Sequence, residues 1–163
     1  MEKRFIVLDT ETTGLEVEKG HRIIEIGGVV MNGRKKTSET FHAYINPQRE
    51  IDKEAQAVHG ISNEDLEDKP FFSDIAEDFL EFIDGSTLVI HNADFDIGFL
   101  DAELKIASST YPAISDICEI KDTLAIARNK FPGQRNSLDA LSKRFEISGY
   151  DRSYHGALLD ANI

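Results

Sequence analysis

The chain has 163 residues, 40% of them hydrophobic and 29% charged, and its net charge is −12. That length fits one domain over residues 1–163, and the absence of a long apolar run excludes a membrane span or signal peptide, which points to the cytoplasm. The acidity excludes a protein that grips nucleic acid over a broad basic face, because such binding relies on lysine and arginine to neutralise phosphates. A single cysteine, Cys118, excludes an internal disulfide or a cysteine-based zinc site and reads as a packed apolar residue.

Three β-rich runs come first. "RFIVLD" is followed by "RIIEIGGVVMN" and "SETFHAYINP", the last two separated by the turn-like "NGRKK", which predicts an antiparallel meander. Beyond Pro47 the pattern turns helical, with Ala55 and Val58 ahead of the "HGI" break and Ser62 placed to cap a short helix through Leu66. Ile75, Phe79, Phe82 and Ile83 recur at helical spacing. Asp74 with Glu77 resembles a capping box, and Gly85 ends that helix. "TLVIH" suits a buried strand, and "NADFDIGFLDAELKIA" resumes helical periodicity. A short strand near Glu119 to Asp122, a helix through Lys130, and a helix capped by Ser137 with Leu138, Leu141 and Phe145 inside come next. The helix that begins in "HGALLDANI" is left unfinished. Strands first, then strands alternating with helices, predict an α/β fold with a mixed sheet and helices on both sides.

Charged residues stand out at three places. Asp9 and Glu11 follow four apolar residues, Phe5 to Leu8, and residues i and i+2 of a strand leave the same face. Two such carboxylates repel and raise each other's pKa unless a cation sits between them. A divalent metal is the obvious candidate, and an exposed turn announced by Thr12, Thr13 and Gly14 is the alternative. Asp94 and Asp96 lie where the fourth strand meets its helix, the region where open α/β sheets place their sites. Asp94 is the better placed helix cap, which leaves Asp96 as the inward carboxylate. His155 and Asp160 are five residues apart, roughly 140° around a helix axis, so a shared site requires His155 at the helix mouth or on the preceding loop, mobile and free to titrate. Residues 121–152 hold 7 basic and 4 acidic side chains, which gives either a solvated helix face or a local phosphate-facing patch. His91 reads as a satisfied histidine at a strand end, and His21 and His42 as surface or sheet residues.

"DTETTG", "HNADFD" and "HGALLD", in this order, resemble the three motifs of the DEDDh exonucleases. "FPGQRNSLDAL" followed by "HGALLDA" is similar to the family's proofreading members in bacterial replication. The resemblance implies a ribonuclease H-like mixed five-stranded sheet flanked by helices and a 3′–5′ exonuclease acting on DNA ends. It also implies two Mg²⁺ or Mn²⁺ ions held by Asp9, Glu11, Asp96 and Asp160, with His155 as the general base. The sister subfamily carries a tyrosine four residues before the last aspartate, where this chain has Gly156, so the histidine type is indicated. By the same resemblance the terminal nucleotide lies against the backbone of Thr10, Thr12, Thr13 and Gly14, with Leu15 as an apolar wedge. Glu54 would reach the 3′-hydroxyl, and His59 and Phe95 would line the pocket. For Leu15 and Phe95 ordinary core packing is the alternative. The implied partners are a DNA 3′ terminus, a replicative polymerase's catalytic subunit, a sliding clamp and a small accessory subunit, with no membrane. A family member that trims RNA 3′ ends or short oligoribonucleotides would carry the same five residues. The unfinished last helix suggests a trimmed end, with any partner-binding tail beyond it.

Overall fold

The computed structural model describes residues 3–150 and 152–163. Strands β1 (Arg4–Thr12), β2 (Ile23–Asn32) and β3 (Lys35–Tyr44) form the antiparallel meander, and Gly33 turns the β2–β3 hairpin at a positive φ of 60°. The third strand starts earlier than the "SET" run, so the hairpin is tighter than its sequence suggests. Strand β1 runs through Glu11 to Thr12. Both acids are therefore strand residues, not turn residues, and a register shift falls only between Glu11 and Thr12.

Helices α1 (Lys53–His59), α2 (Asn63–Leu66) and α3 (Phe72–Ile83) follow. Ser62 caps α2 in a reciprocal box with Asp65, the arrangement that satisfies two orphan amides at a helix start. For α3 the expected start moves. The helix begins at Phe72, and Asp74, its third residue, accepts from the Phe71 amide at 2.9 Å. Asp74 is thus the returning member of the cap, and Glu77 takes no part in it.

Strand β4 (Thr87–Ile90) leads into α4 (Ala93–Ala107), a one-turn helix α5 (Ile114–Ile117), strand β5 (Glu119–Asp122) and helix α6 (Thr123–Lys130). Helices α7 (Leu138–Arg144) and α8 (Ala157–Asn162) complete the order. The sheet order is β3-β2-β1-β4-β5, with β4 parallel to β1 and β5 parallel to β4. Ser137 caps α7 by accepting from Ala140, yet α7 buries none of its residues and Phe145 is 59% exposed. Phe145 instead meets Phe131 edge-on at 5.9 Å. The apolar face of α7 is half-buried through Leu138 and Leu141, and Phe145, just past the helix end, stays exposed.

Neighbouring glycines in β2 show how the two faces of the sheet are used. A Cβ on Gly28 would meet Phe82 of α3 with Ile6 and Leu8, whereas a Cβ on Gly27 would lie 2.3 Å from the Leu158 backbone of α8. Opposite faces therefore receive α3 and α8, and α8 seats directly on the strand backbone because Gly27 has no side chain. The main core joins Ile6, Leu8, Phe72, Phe79, Phe99 and Leu100 with their neighbours. Truncating one of those phenylalanines to alanine would cost about 3–5 kcal/mol. Cys118 is buried, its thiol donates to the Ile83 carbonyl at 3.1 Å, and burial pushes its pKa up to about 11, as befits a packed residue.

Candidate active site

The parallel pairing of β1 with β4 brings the end of "DTE" beside the start of α4, the switch point at which such sheets place their sites. Along β1, Ile6, Leu8, Thr10 and Thr12 are buried, and the alternate Asp9 and Glu11 share the other face. Asp96 is 2% exposed and accepts a hydrogen bond from the Thr10 hydroxyl. Asp94, in contrast, is exposed. It is not the cap of α4 either. Asn92 holds that position in a left-handed conformation (φ 67°), and its amide donates to Asp122 at 3.0 Å.

From the other face, α8 delivers Asp160, and His155 stands two residues ahead of the helix. The His155 backbone amide donates to the Val58 carbonyl at 2.7 Å, so this loop is tied to α1. Ligand atoms of Glu11, His155 and Asp160 lie within 4.8 Å of one another. Asp9 completes the group. Burial first, then the charges of Asp96, Glu11 and Asp160, raise its pKa well above the ordinary carboxylate range. Burial and neighbouring charges likewise raise Glu11 to about 8, with Asp160 and Glu25 the largest of those charges. Burial, then Asp122 and Asp160, raise Asp96 to about 7 against the opposing hydrogen bond from Thr10. The Asp9 Oδ2 atom is buried without a hydrogen-bond partner among the described residues. Desolvated, mutually repelling carboxylates with an orphaned oxygen are the donor set that hard divalent cations fit.

Two supports of this centre escaped the sequence reading. Glu25, opposite Glu11 in the β1–β2 register, is 2% exposed and accepts the Ala157 amide at 2.7 Å and the His42 Nε2 at 2.6 Å. His42 is therefore not an idle sheet residue. The His42–Glu25 pair anchors the first turn of α8 and with it the positions of His155 and Asp160. Arg152 grips both Asp160 oxygens, at 2.7 and 2.9 Å, and also reaches Asp139. It supplies Asp160 with a counter-charge. Nothing in the spacing of "DRSYHGALLD" signals that pairing, and Glu25 was hidden inside an otherwise apolar strand.

A cleft of about 500 Å³ opens beside Glu11. Thr10, Thr12, Gly14, Leu15, Glu54, His59 and Phe95 all line it, but Thr13 does not. Thr13 is fully buried beneath, accepting from the Arg22 amide and bonded to the His21 Nδ1 at 2.8 Å. His21 is correspondingly buried, not at the surface, and its ring occupies the space a Cβ on Gly14 would need, 2.4 Å away. Leu15 is 81% exposed, which removes core packing as its role. Phe95 serves both purposes, because it packs on Phe99 at 4.9 Å and lines the cleft. His59 has both ring nitrogens engaged. Nδ1 accepts from the Ile61 amide, so Nε2 carries the proton facing the Thr12 carbonyl at 3.2 Å. Burial lowers its pKa, which makes His59 a neutral piece of wall.

His91 differs from expectation. Its Nδ1 meets the Thr123 hydroxyl at 3.0 Å, but its Nε2 is buried with no hydrogen bond among the described residues. Burial lowers its pKa, and Arg128 and Arg152 add to the effect.

Fold and residues together define a buried cluster of carboxylates and a histidine at a strand end, the donor set of a metal-dependent α/β enzyme. The sequence model of the exonuclease family, RNase T type, matches residues 6–163, and the chain belongs to that family. It is 52% identical to the DNA polymerase III epsilon subunit of Salmonella typhimurium over 98% of this chain and 68% of that protein. Exonuclease X, solved in complex with 5′ overhanging duplex DNA, superposes with a TM-score of 0.72 at 29% identity, covering 96% of this chain and 84% of its own. The nuclease domain of 3′hExo, a DEDDh family member bound to rAMP, shares the fold with a TM-score of 0.81 at 19% identity, over 99% of this chain and 87% of its own.

Proposed function

We propose that this chain is the metal-dependent 3′–5′ exonuclease that removes nucleoside 5′-monophosphates from DNA 3′ ends and proofreads for the bacterial replicative polymerase, as one exonuclease domain over residues 1–163. The observation that carries this reading is the meeting of Glu11, His155 and Asp160 within 4.8 Å, electrostatically linked to Asp9 and Asp96, beside the cleft that exposes Leu15. The similarity to the epsilon subunit supports the proofreading role.

Asp9, Glu11, Asp96 and Asp160 are the residues that would hold two Mg²⁺ or Mn²⁺ ions. When bound, these ions supply positive charge at the scissile phosphate and acidify the attacking water. His155 accepts that water's proton, a task suited to an imidazole at neutral pH. The water oxygen bonds to phosphorus, and the bond from phosphorus to the 3′-oxygen of the preceding nucleotide breaks. The terminal nucleotide leaves as a 5′-monophosphate, and the departing 3′-oxygen takes a proton from solvent water to become the shortened strand's 3′-hydroxyl. Thr10, Thr12 and Gly14 form the floor for the terminal nucleoside, Leu15 wedges against its base, and Glu54 reaches its 3′-hydroxyl, while His59 and Phe95 wall the cleft. Thr13 supports the floor from below. The strand itself is delivered by the catalytic alpha subunit of DNA polymerase III, with the sliding clamp and a small accessory subunit as further partners, in the bacterial cytoplasm. A polymerase that holds the DNA reconciles the activity with a net charge of −12.

The test is a nuclease assay on single-stranded DNA, paired and mismatched primers and RNA, with Mg²⁺, Mn²⁺ or chelator. Metal-dependent release of nucleoside 5′-monophosphates is expected, faster from mismatched than paired ends because unpairing costs less there. Equal rates on the two primers contradict proofreading. Release of nucleoside 3′-monophosphates contradicts the mechanism, and a marked preference for RNA would move the chain to the exoribonuclease or oligoribonuclease reading.

A further inference from the structure

The carboxylates are reached from two sides. Opposite the apolar cleft, a second cleft of about 500 Å³ shares Asp9, His155 and Asp160 with the centre, and its far wall includes Arg128, Gln134 and Arg152. The cations of this region differ in how they are engaged. Arg152 is committed to Asp160 and Asp139. Arg144 donates to the Asn136 side chain and the Arg135 carbonyl and lies 4.5 Å from the centroid of the Phe131 ring. Arg128, exposed in the last turn of α6, lines the cleft, and among the described residues no carboxylate pairs with it. The Gln134 side chain is also exposed, and its carboxamide makes no hydrogen bond among those residues. In a chain this acidic, an unpaired guanidinium facing the catalytic carboxylates is a binding group for an anion that reaches them.

Chemistry says which anion. When a 3′-terminal nucleotide occupies the apolar cleft and its phosphodiester meets the carboxylates, the rest of the strand must leave on the other side. That strand carries one negative charge per nucleotide. We infer that the second cleft holds the sugar–phosphate backbone immediately 5′ to the scissile bond, with Arg128 pairing to a phosphate and the Gln134 amide donating beside it. This rests on the exonuclease reading and adds a strand-holding subsite to it. Contacts to phosphate position a strand without reading its sequence, which suits an enzyme that must accept any terminus.

Two probes separate the subsite from the chemistry. The p-nitrophenyl ester of thymidine 5′-monophosphate fills only the terminal-nucleotide side, whereas an oligothymidylate of eight nucleotides spans both. For Arg128→Glu, the ratio of kcat/KM on the octamer to kcat/KM on the ester is expected to fall about tenfold relative to the parent. Arg128→Gln should give a smaller fall and flatten the dependence of log kcat/KM on log salt by about 0.7, the value for one lost phosphate contact on a single strand. Lys105→Glu, exposed on α4 and lining neither cleft, is the control for bulk charge and should leave the ratio within twofold. A ratio unchanged in both Arg128 variants, or lowered equally by Lys105→Glu, overturns the subsite. Failure of the parent to hydrolyse either probe with Mn²⁺ would instead overturn the exonuclease reading on which it rests.

Discussion

The two clefts meet at one set of carboxylates but are built from opposite materials. The first is lined by Leu15, Val58 and Phe95 against a backbone floor whose polar atoms are already bonded, as the His59 and Thr12 contacts show. The second is polar and carries guanidinium groups. An apolar slot with exposed Leu15 suits a base, which presents a flat face. A cationic wall suits a phosphate. The difference is one of sequence region as well. The slot comes from the acidic first two thirds of the chain, and the cationic wall from residues 121–152, where 7 basic side chains outnumber 4 acidic ones.

Substitutions should therefore separate along the same line, with the shared carboxylates giving the largest effects. Asp96→Asn is expected to abolish nearly all hydrolysis of both the mononucleotide ester and the oligonucleotide, while Asp94→Asn, exposed and outside the cap, leaves both within twofold. The reverse result would reassign the third carboxylate. His155→Ala should lower turnover by about 10²–10⁴-fold, the usual range for a lost general base, with metal binding retained by calorimetry. Loss of that binding would make His155 a ligand. Next comes Glu25→Ala, which frees the Ala157 amide and the first turn of α8. It should lower kcat about tenfold on both probes with KM little changed, and Glu25→Gln should recover part of this, since an amide oxygen can still accept. A change confined to KM would contradict the anchoring role. Smallest is Leu15→Ala. It should narrow the mismatched-to-paired rate ratio by no more than about tenfold, within the range for lost apolar contacts in a pocket, and should leave ester turnover within twofold.

How much of this was written in the sequence follows from the range of the forces. Period-2 and period-3.6 patterns, and local caps such as Ser62 and Ser137, are short-range signals, and they located the elements. Asp9 and Glu11 on one face followed from strand geometry alone. Asp74 and Asp94 show where local reading fails, because a carboxylate near a helix start can serve as either end of a cap, and Asp94 yields the cap of α4 to Asn92, whose backbone amide donates to Asp122, thirty residues away. Phe145 was misread for a related reason, since a helical period says which face is apolar and not whether anything covers it. Longer-range pairings stayed hidden. Arg22 with Glu103, Glu25 with the Ala157 amide, and His21 beneath Gly14 all depend on the fold having formed. The matching of "DTE", "DFD" and "HGALLD" to one centre came from resemblance to a family, because spacing alone does not bring three distant segments together.

The central claim is that these carboxylates oppose one another until cations arrive, and thermal melting of the parent against Asp96→Asn tests it most directly. Burial pushes the Asp96 carboxyl up to about 7, well above the ordinary aspartate range. From that ordinary range up to about 7 the folded protein holds a proton that the unfolded chain releases, so the parent's stability falls as pH rises through this window. Asparagine lacks that titration and keeps the oxygen that accepts from Thr10. In chelator the variant should therefore melt above the parent at pH 8, and the gap should shrink toward zero as pH is lowered to 4. Saturating Mn²⁺ at pH 8 should reverse the order, because a cation bound only by the folded state stabilises it by RT ln(1 + [L]/Kd) and the parent binds it more tightly. A gap that ignores both pH and metal would contradict the account.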